Sequence, residues 1–541
     1  MPRILVTEPL TPEGIARLEA AGEVEIALNL SEEQLAKAVM HADALVVRSA
    51  TKVTARVLAE ARHLKVIGRA GVGVDNIDVE TATARGILVV NSPHGNTTAA
   101  AELTIALMLS LARRIPQADA ALRAGRWERK RFMGTEVYGK TLGVIGLGRI
   151  GLEVAKRSRA LGMQIVAYDP YANPALAEQN GVKLMPLDAV LSAADFITLH
   201  APLTEQTRNM IGRDQLQRMK DGVRVINCAR GGLIDEVALA EAIRAGKVAG
   251  AALDVFASEP VSPDNPLLQM TENVVTPHLG ASTEEAQVAV AVDIAEQVVD
   301  VLQGRLPKSP VNMPYLTPEA YASVAPYLEL GRRMGSLLAQ LTLADEGQGF
   351  PISEVELRYA GDFGDRPTHA ITRAVLAGLL TPILSEPANL VNAPMLAAGR
   401  GIRILETQTA SRQEYSSLVS VTLRSAGRAH TVSGTAYGPT QYRIVELDGY
   451  EVTFVPAGIL LLTQHVDRPG MIGAVGTLLG QHNVNIAGMD LGRKSEGGLA
   501  LMVLAVDDPI PPPLLQAIRG IPNMESARVV TLETEQARPV L

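Results

Sequence analysis

Short apolar runs alternate with amphipathic segments through the first hundred residues. Ile4–Thr7, Ala44–Val47, Val66–Gly68 and Leu88–Asn91 are too short for helices and predict buried strands. Glu32–Met40 and Thr54–Ala61, between them, carry apolar residues at helical spacing. Such alternation predicts a parallel sheet covered by helices. The apolar stretch Thr97–Arg113 predicts a connector helix that leaves one lobe and enters another. A second alternating unit follows, with strands expected at Thr141–Ile145, Gln164–Tyr168, Phe196–Leu199, Val223–Asn227, Gly250–Asp254 and Asn273–Thr276. Thr283–Gln303 predicts a second long helix that returns the chain to the first lobe. Two bracketing helices imply a discontinuous first domain and a cleft at the junction, where small-molecule sites concentrate.

Three prolines within Leu306–Pro314 predict a linker. From about 315 to 455 the pattern is mixed α/β, with an Ala/Leu-rich helix near 370–385 and no recognisable catalytic motif. The last eighty or so residues read strand, helix, strand, strand, helix, strand.

A length of 541 residues suits roughly three to four domains. The net charge of -8 argues against nucleic acid as a partner, because neutralising phosphates needs a basic face. The single cysteine, Cys228, cannot form an internal disulfide, which favours a reducing compartment. The N-terminus lacks the apolar core of a signal peptide, and no apolar run approaches the ~20 residues that span a bilayer. The expectation is a cytoplasmic protein with no membrane partner and no metal site.

Gly146, Gly148 and Gly151 follow an apolar strand and open a helix, the context in which this spacing signals a dinucleotide loop. The free N–H groups near Arg149 and Ile150 suit a pyrophosphate at the helix start. Asp169, ending the next strand, suits the ribose hydroxyls and repels a 2′-phosphate, so NAD is expected over NADP.

Downstream lie a cation, a carboxylate and an imidazole, each just after an expected strand: Arg230, Glu259 and His278. Oxidising a 2-hydroxy acid needs a base for the hydroxyl proton, a cation for the carboxylate and a nicotinamide for the hydride. His278 is the candidate acid–base, Glu259 its partner and Arg230 the fork for the substrate carboxylate.

The segments Gly146–Gly151, Asn227–Ile234, Ala251–Pro260 and Pro277–Thr283 resemble the D-isomer-specific 2-hydroxy-acid dehydrogenase family. Val46–Val53, Gly68–Asn76 and Trp127–Gly134 narrow the resemblance to its long-form, 3-phosphoglycerate-oxidising branch, over essentially the whole chain. The resemblance implies an α/β fold of two Rossmann-like lobes, with residues 1–98 and 283–313 binding substrate and 99–282 binding NAD. An intervening domain at 314–455 and a ferredoxin-like ACT domain at 456–541 would follow. It implies Arg230, Glu259 and His278 as catalytic residues, and Cys228, Ala229, Asp254, Gly280 and Ala281 as further cofactor contacts. Cys228 would be an inert wall of that pocket. Arg48, Ser49, Arg69, Gly71 and Arg129 would serve the substrate, and His465, Asp467 and Asn485 an L-serine effector. A homo-oligomer, dimer or tetramer, is also implied. The motifs alone leave two other readings open, a glyoxylate, hydroxypyruvate or related reductase and a non-catalytic NAD-sensing protein.

Overall fold

In the computed structural model, residues 1–346, 352–384, 388–410, 415–425, 428–438 and 440–533 are described. The first sheet holds β1 (Arg3–Val6), β2 (Glu23–Ile26), β3 (Ala44–Val47), β4 (Val66–Arg69) and β5 (Leu88–Asn91), all parallel, in the order β2-β1-β3-β4-β5. The strand order reverses between β1 and β3, and ligands of such sheets bind beyond the carboxyl ends of the strands at that reversal. Its core is aliphatic, with Leu5, Leu45, Ile67 and Val89 buried against Leu35, Val39 and Val57 of the covering helices.

The second sheet is β6 (Thr141–Ile145), β7 (Gln164–Tyr168), β8 (Val182–Leu184), β9 (Phe196–Leu199), β10 (Val223–Asn227), β11 (Val248–Leu253) and β12 (Val274–Val275). Its parallel order, β12-β11-β10-β9-β6-β7-β8, reverses between β6 and β9, so the glycine loop after β6 opens at the switch point. The helix Thr97–Arg113 buries Leu107, Met108 and Leu111 in the core of this sheet, beside Leu142 and Val144.

A six-stranded mixed sheet contains β13 (Ile352–Gly361), β14 (Arg403–Thr409), β15 (Ser417–Ser425), β16 (Arg428–Ala436), β17 (Tyr442–Leu447) and β18 (Tyr450–Phe454). Two helices, Pro318–Glu346 and Thr368–Leu380, share its core through Leu330, Leu337 and Val375. The same core continues into the last sheet, where Leu460, Leu462, Val503 and Val530 join it. That sheet is antiparallel, with β19 (Gly458–Val466), β20 (Ile486–Arg493), β21 (Leu499–Val506) and β22 (Met524–Leu532) in the order β20-β21-β19-β22. With helices Met471–Gln481 and Pro512–Arg519 it forms a βαββαβ module.

The chain divides into two compact units: Met1–Asn91 with the described residues from Ile294 onward, and Ser92–Asp293. Most expected elements fall within a residue or two of their observed bounds, and Thr97–Arg113 is reproduced as a single helix. The helix expected near 370–385 runs Thr368–Leu380, and residue 385 lies outside the described residues, as do 534–541 of the last expected module. Several elements carry no expectation, among them two strands and a long helix. β2 alternates acidic and apolar residues on a solvated edge, β8 has three residues, and the helix Pro318–Glu346 holds an internal proline at Pro326.

Candidate active site and effector module

Each glycine of the loop after β6 answers a different steric demand. Gly146 has φ +94, and a Cβ there would lie 2.6 Å from the His200 carbonyl oxygen. A Cβ at Gly148 would meet nothing within 4 Å, which leaves open space at the start of the helix Arg149–Ala160. At Gly151 even a methyl group would collide with the Gly146 carbonyl, so helix and turn touch backbone to backbone. The first-turn N–H groups of Arg149 and Ile150 have no acceptor inside their own helix. The space and these donors fit a dinucleotide pyrophosphate. Asp169 follows β7 and accepts from Leu147 N–H and Tyr171 N–H, both at 2.8 Å, which fixes its carboxylate beside the loop.

Two side chains near the loop are chemically quiet. Burial pushes the Cys228 thiol up to about 12, with a Thr104 hydrogen bond opposing and the Asp254 charge adding to the shift. A thiol so disposed is not a nucleophile. Burial takes His200 down to about 4, and its Nε2 lies 2.9 Å from Thr198 Oγ1. It is a neutral structural imidazole that the sequence did not single out.

Arg230 leaves the end of β10 on a turn built by Asn227, which accepts from Ala229 N–H at 3.0 Å and donates to the Arg230 carbonyl at 2.9 Å. The Arg230 guanidinium, half-buried, donates one bond to the Ala229 carbonyl at 2.7 Å. Glu259 lies in the loop after β11. Its Oε1 accepts from Phe256 N–H at 3.1 Å, and its Oε2 lies 2.6 Å from His278 Nδ1. Burial alone would raise the Glu259 pKa. The His278 hydrogen bond, the Phe256 N–H and the charges of His278 and Arg230 overcome burial and lower it. An ionised carboxylate only accepts hydrogen bonds, so His278 Nδ1 carries the proton and Nε2 is left as the reactive nitrogen.

The loop carrying His278 hangs on Asp254. Asp254 is 1% exposed. Its Oδ1 accepts from Thr276 Oγ1 at 2.6 Å and Leu279 N–H at 2.7 Å, and its Oδ2 from Gly280 N–H at 2.9 Å. Its backbone carbonyl takes the His278 N–H at 2.8 Å. Burial raises the Asp254 pKa against those hydrogen bonds and the His278 charge. Gln287 donates to the Ala281 carbonyl at 2.6 Å and secures the far side of the loop. Glu236 accepts from Ala257 N–H and Asn265 Nδ2 and steadies the Glu259 loop. Sequence reading missed this scaffolding, because each carboxylate meets donors more than twenty residues away.

The first unit carries four of the expected substrate contacts, Arg48, Ser49, Arg69 and Gly71, at the carboxyl edge of its own sheet. Glu8, after β1, accepts from the N–H groups of Arg48, Ala50 and Thr51 at 2.8–3.1 Å. Asn76 donates to the Arg48 and Thr51 carbonyls at 2.8 and 2.6 Å. The turn holding Arg48 and the exposed Ser49 is thus clamped from both sides at the strand-order reversal. Gly71 has φ +152, and a Cβ there would overlap Arg69 Nη1, so the Arg69 guanidinium lies along glycine backbone. Arg129 begins an exposed 3-10 turn, Arg129–Phe132, in the second unit, where Glu128 pairs with Arg126 and Arg131. Exposed Trp127 and Met133 flank it.

The chain is 48% identical to the D-3-phosphoglycerate dehydrogenase of Methanocaldococcus jannaschii, over 98% of this chain and all of that one. It is 41% identical to the enzyme of the same name from Bacillus subtilis, over 98% and 99%. The chain belongs to the D-3-phosphoglycerate dehydrogenase family. Residues 105–280 match the D-isomer specific 2-hydroxyacid dehydrogenase NAD binding domain, 323–448 the D-3-phosphoglycerate dehydrogenase intervening domain and 459–523 the ACT domain. The chain is therefore an NAD-dependent dehydrogenase with a small-ligand regulatory module. Among solved structures, the TT0316 protein of Thermus thermophilus aligns with 57% of this chain and 99% of its own, at 38% identity and a TM-score of 0.54. The Aquifex aeolicus D-lactate dehydrogenase, solved with NAD and lactic acid, aligns with 56% and 96%, at 29% identity and 0.50.

In the ACT module of this family member, the three expected effector residues have unlike surroundings. His465 is 2% exposed on β19, and its Nδ1 has no hydrogen-bond partner among the described residues. Burial lowers its pKa, with Asp467 pulling the other way. Asp467 pairs with Arg493 at 3.1 Å, and Asn485 Nδ2 donates to Asp507 at 2.6 Å. No helix among the described residues is long and apolar enough to cross a membrane.

Proposed function

We propose that this chain oxidises 3-phospho-D-glycerate to 3-phosphooxypyruvate with NAD, the entry reaction of the phosphorylated route to L-serine, and that L-serine restrains it through the ACT module. The observation that carries the reading is the His278–Glu259 pair at 2.6 Å, on loops that follow adjacent strands of an NAD-binding sheet.

His278 Nε2 takes the proton of the C2 hydroxyl while Glu259 stabilises the imidazolium that results. The Arg230 guanidinium, anchored at the Ala229 carbonyl, presents its planar fork of N–H groups to the substrate carboxylate and the oxygen at C2. NAD, when bound, supplies the acceptor for the hydride leaving C2. Gly146, Gly148, Arg149, Ile150, Gly151 and Asp169 hold the dinucleotide, with Cys228, Ala229, Asp254, Gly280 and Ala281 along its nicotinamide side. Arg48, Ser49, Arg69, Gly71 and Arg129 are the proposed substrate contacts, the arginines supplying the cations a phosphorylated acid requires. Residues 1–98 and 283–313 form the substrate domain in this reading, 99–282 the NAD domain, 314–455 the intervening domain and 456–541 the effector domain.

Serine as effector draws support from His465, a buried imidazole with an unused nitrogen two residues from a carboxylate that can meet an ammonium group. We also place the protein in the cytoplasm as a homo-oligomer, a dimer or tetramer. Exposed Ile115, Leu122, Trp127, Met133 and Tyr138 along one segment support self-association.

The test is NADH formation at alkaline pH from 3-phosphoglycerate and from D-glycerate, each with and without L-serine. Turnover of the phosphorylated acid alone, suppressed by serine, is expected. Turnover of D-glycerate alone would overturn the substrate, and turnover indifferent to serine would overturn the effector.

A further inference from the structure

A crevice of about 850 Å³ lies within the first unit and shares no lining residue with those assigned above. One wall comes from the first sheet's connections, with Arg62, His63, Lys65 and Arg85. The other comes from the helix Thr368–Leu380 and the turn that follows it, through Asn389 and Asn392. Its floor is aliphatic, from Leu88, Val301, Ala374 and Leu390. One bond joins the walls along an edge, from Asn389 Nδ2 to the Gly86 carbonyl at 2.8 Å.

The charges around the crevice do not cancel. Lys65 is matched by Asp43 at 3.4 Å, and Arg332 by Glu329 and Glu533, each at 2.7 Å. Arg62 and Arg85 have no carboxylate within ion-pair distance among the described residues. Arg85 Nη2 donates to the Ala61 carbonyl at 3.3 Å, which brings its guanidinium beside the residue that precedes Arg62. Two guanidiniums and an imidazole therefore share one wall above an apolar floor.

We propose that this crevice binds a multiply charged organic anion of metabolite size. Guanidiniums recognise carboxylate and phosphate alike through paired N–H donors, and the aliphatic floor accepts a carbon skeleton that an inorganic ion lacks. The volume falls in the range of small-molecule sites. The proposal is independent of the reaction assigned above, since it uses none of that reaction's residues. Because the walls belong to two sheets' connections, a bound anion ties the first sheet to the intervening region.

The experiment is isothermal titration of the full chain, saturated with NADH, using tricarballylate and inorganic pyrophosphate as separate probes. The wild type is compared with Arg62→Ala/Arg85→Ala and with Arg62→Glu. Both residues are exposed, and unchanged melting temperature with unchanged NADH binding establishes that the variants fold. The expected result is a binding event for at least one probe that weakens about tenfold or more in the alanine pair and disappears on charge reversal. A tricarballylate event identifies the ligand class as polycarboxylate, and a pyrophosphate event as phosphorylated. Isotherms identical in all three proteins, or no event in the wild type, overturn the proposal.

Discussion

The reaction site and the effector module handle polar groups in opposite ways. Around His278 the critical carboxylates are already engaged: Asp254 accepts three hydrogen bonds from its loop, and Glu259 bridges Phe256 N–H and the imidazole. In the ACT module, His465 is buried with an unpartnered Nδ1, while Asp467 and Asn485 are bound to Arg493 and Asp507. The first arrangement fixes its side chains through contacts already made within the loops, the preorganisation that the proposed reaction would use. The second leaves a buried group unsatisfied and turns two others towards protein partners, so a ligand there must displace existing contacts. A regulator works only if ligand affinity differs between states, and displaceable contacts supply that difference.

The largest expected effect breaks the preorganised side. His278→Ala should lower kcat by about 10²–10⁴-fold while NADH still binds, as read by steady-state rates and fluorescence titration. Unchanged kcat would remove His278 from the reaction. Asp254→Ala strips one acceptor from Leu279 N–H, Gly280 N–H and Thr276 at once. It should cost about 2–4 kcal/mol in denaturant unfolding, with a fall in kcat as the His278 loop loosens. If stability holds and kcat does not fall, the loop does not depend on this carboxylate.

Glu259→Gln should reduce kcat by about tenfold or more and remove a pH-dependent increment of stability. The Glu259 pKa is lowered by folding, so its stabilisation is present above the ordinary value of 4.5 and lost as pH falls through the lower folded value. Melting curves recorded between pH 3 and 6 should therefore converge for wild type and variant at the acid end. The smallest effect sharpens the other side. Arg493→Ala frees Asp467 for an ammonium group and should lower the serine concentration for half-inhibition by about threefold. A rise would mean that Arg493 itself contacts the effector.

How much of this the sequence disclosed follows the range of the interactions. The parallel strands were legible because β3 and β5 are aliphatic runs, and β6, β7, β9 and β10 are short, mainly apolar runs bounded by turns. β2 was not, because Glu23 and Glu25 alternate with apolar residues on an exposed edge. Arg230, Glu259 and His278 stood out by their place after strands. The scaffolding role of the carboxylates was not legible: Asp254 was expected only as a cofactor contact, and it, Glu236 and, at the Arg48 turn, Glu8 act largely through backbone N–H groups that have no sequence identity. The crevice wall of Arg62 and Arg85 was equally silent, as its other half comes from three hundred residues away.

His278 also adopts φ +54, a left-handed backbone that costs a side-chain-bearing residue about 1–2 kcal/mol. Glycine would rest there without strain, yet it has no nitrogen to offer a substrate. The backbone conformation alone would favour glycine at this position, so relieving the strain and keeping the reactive nitrogen are opposed demands on one residue.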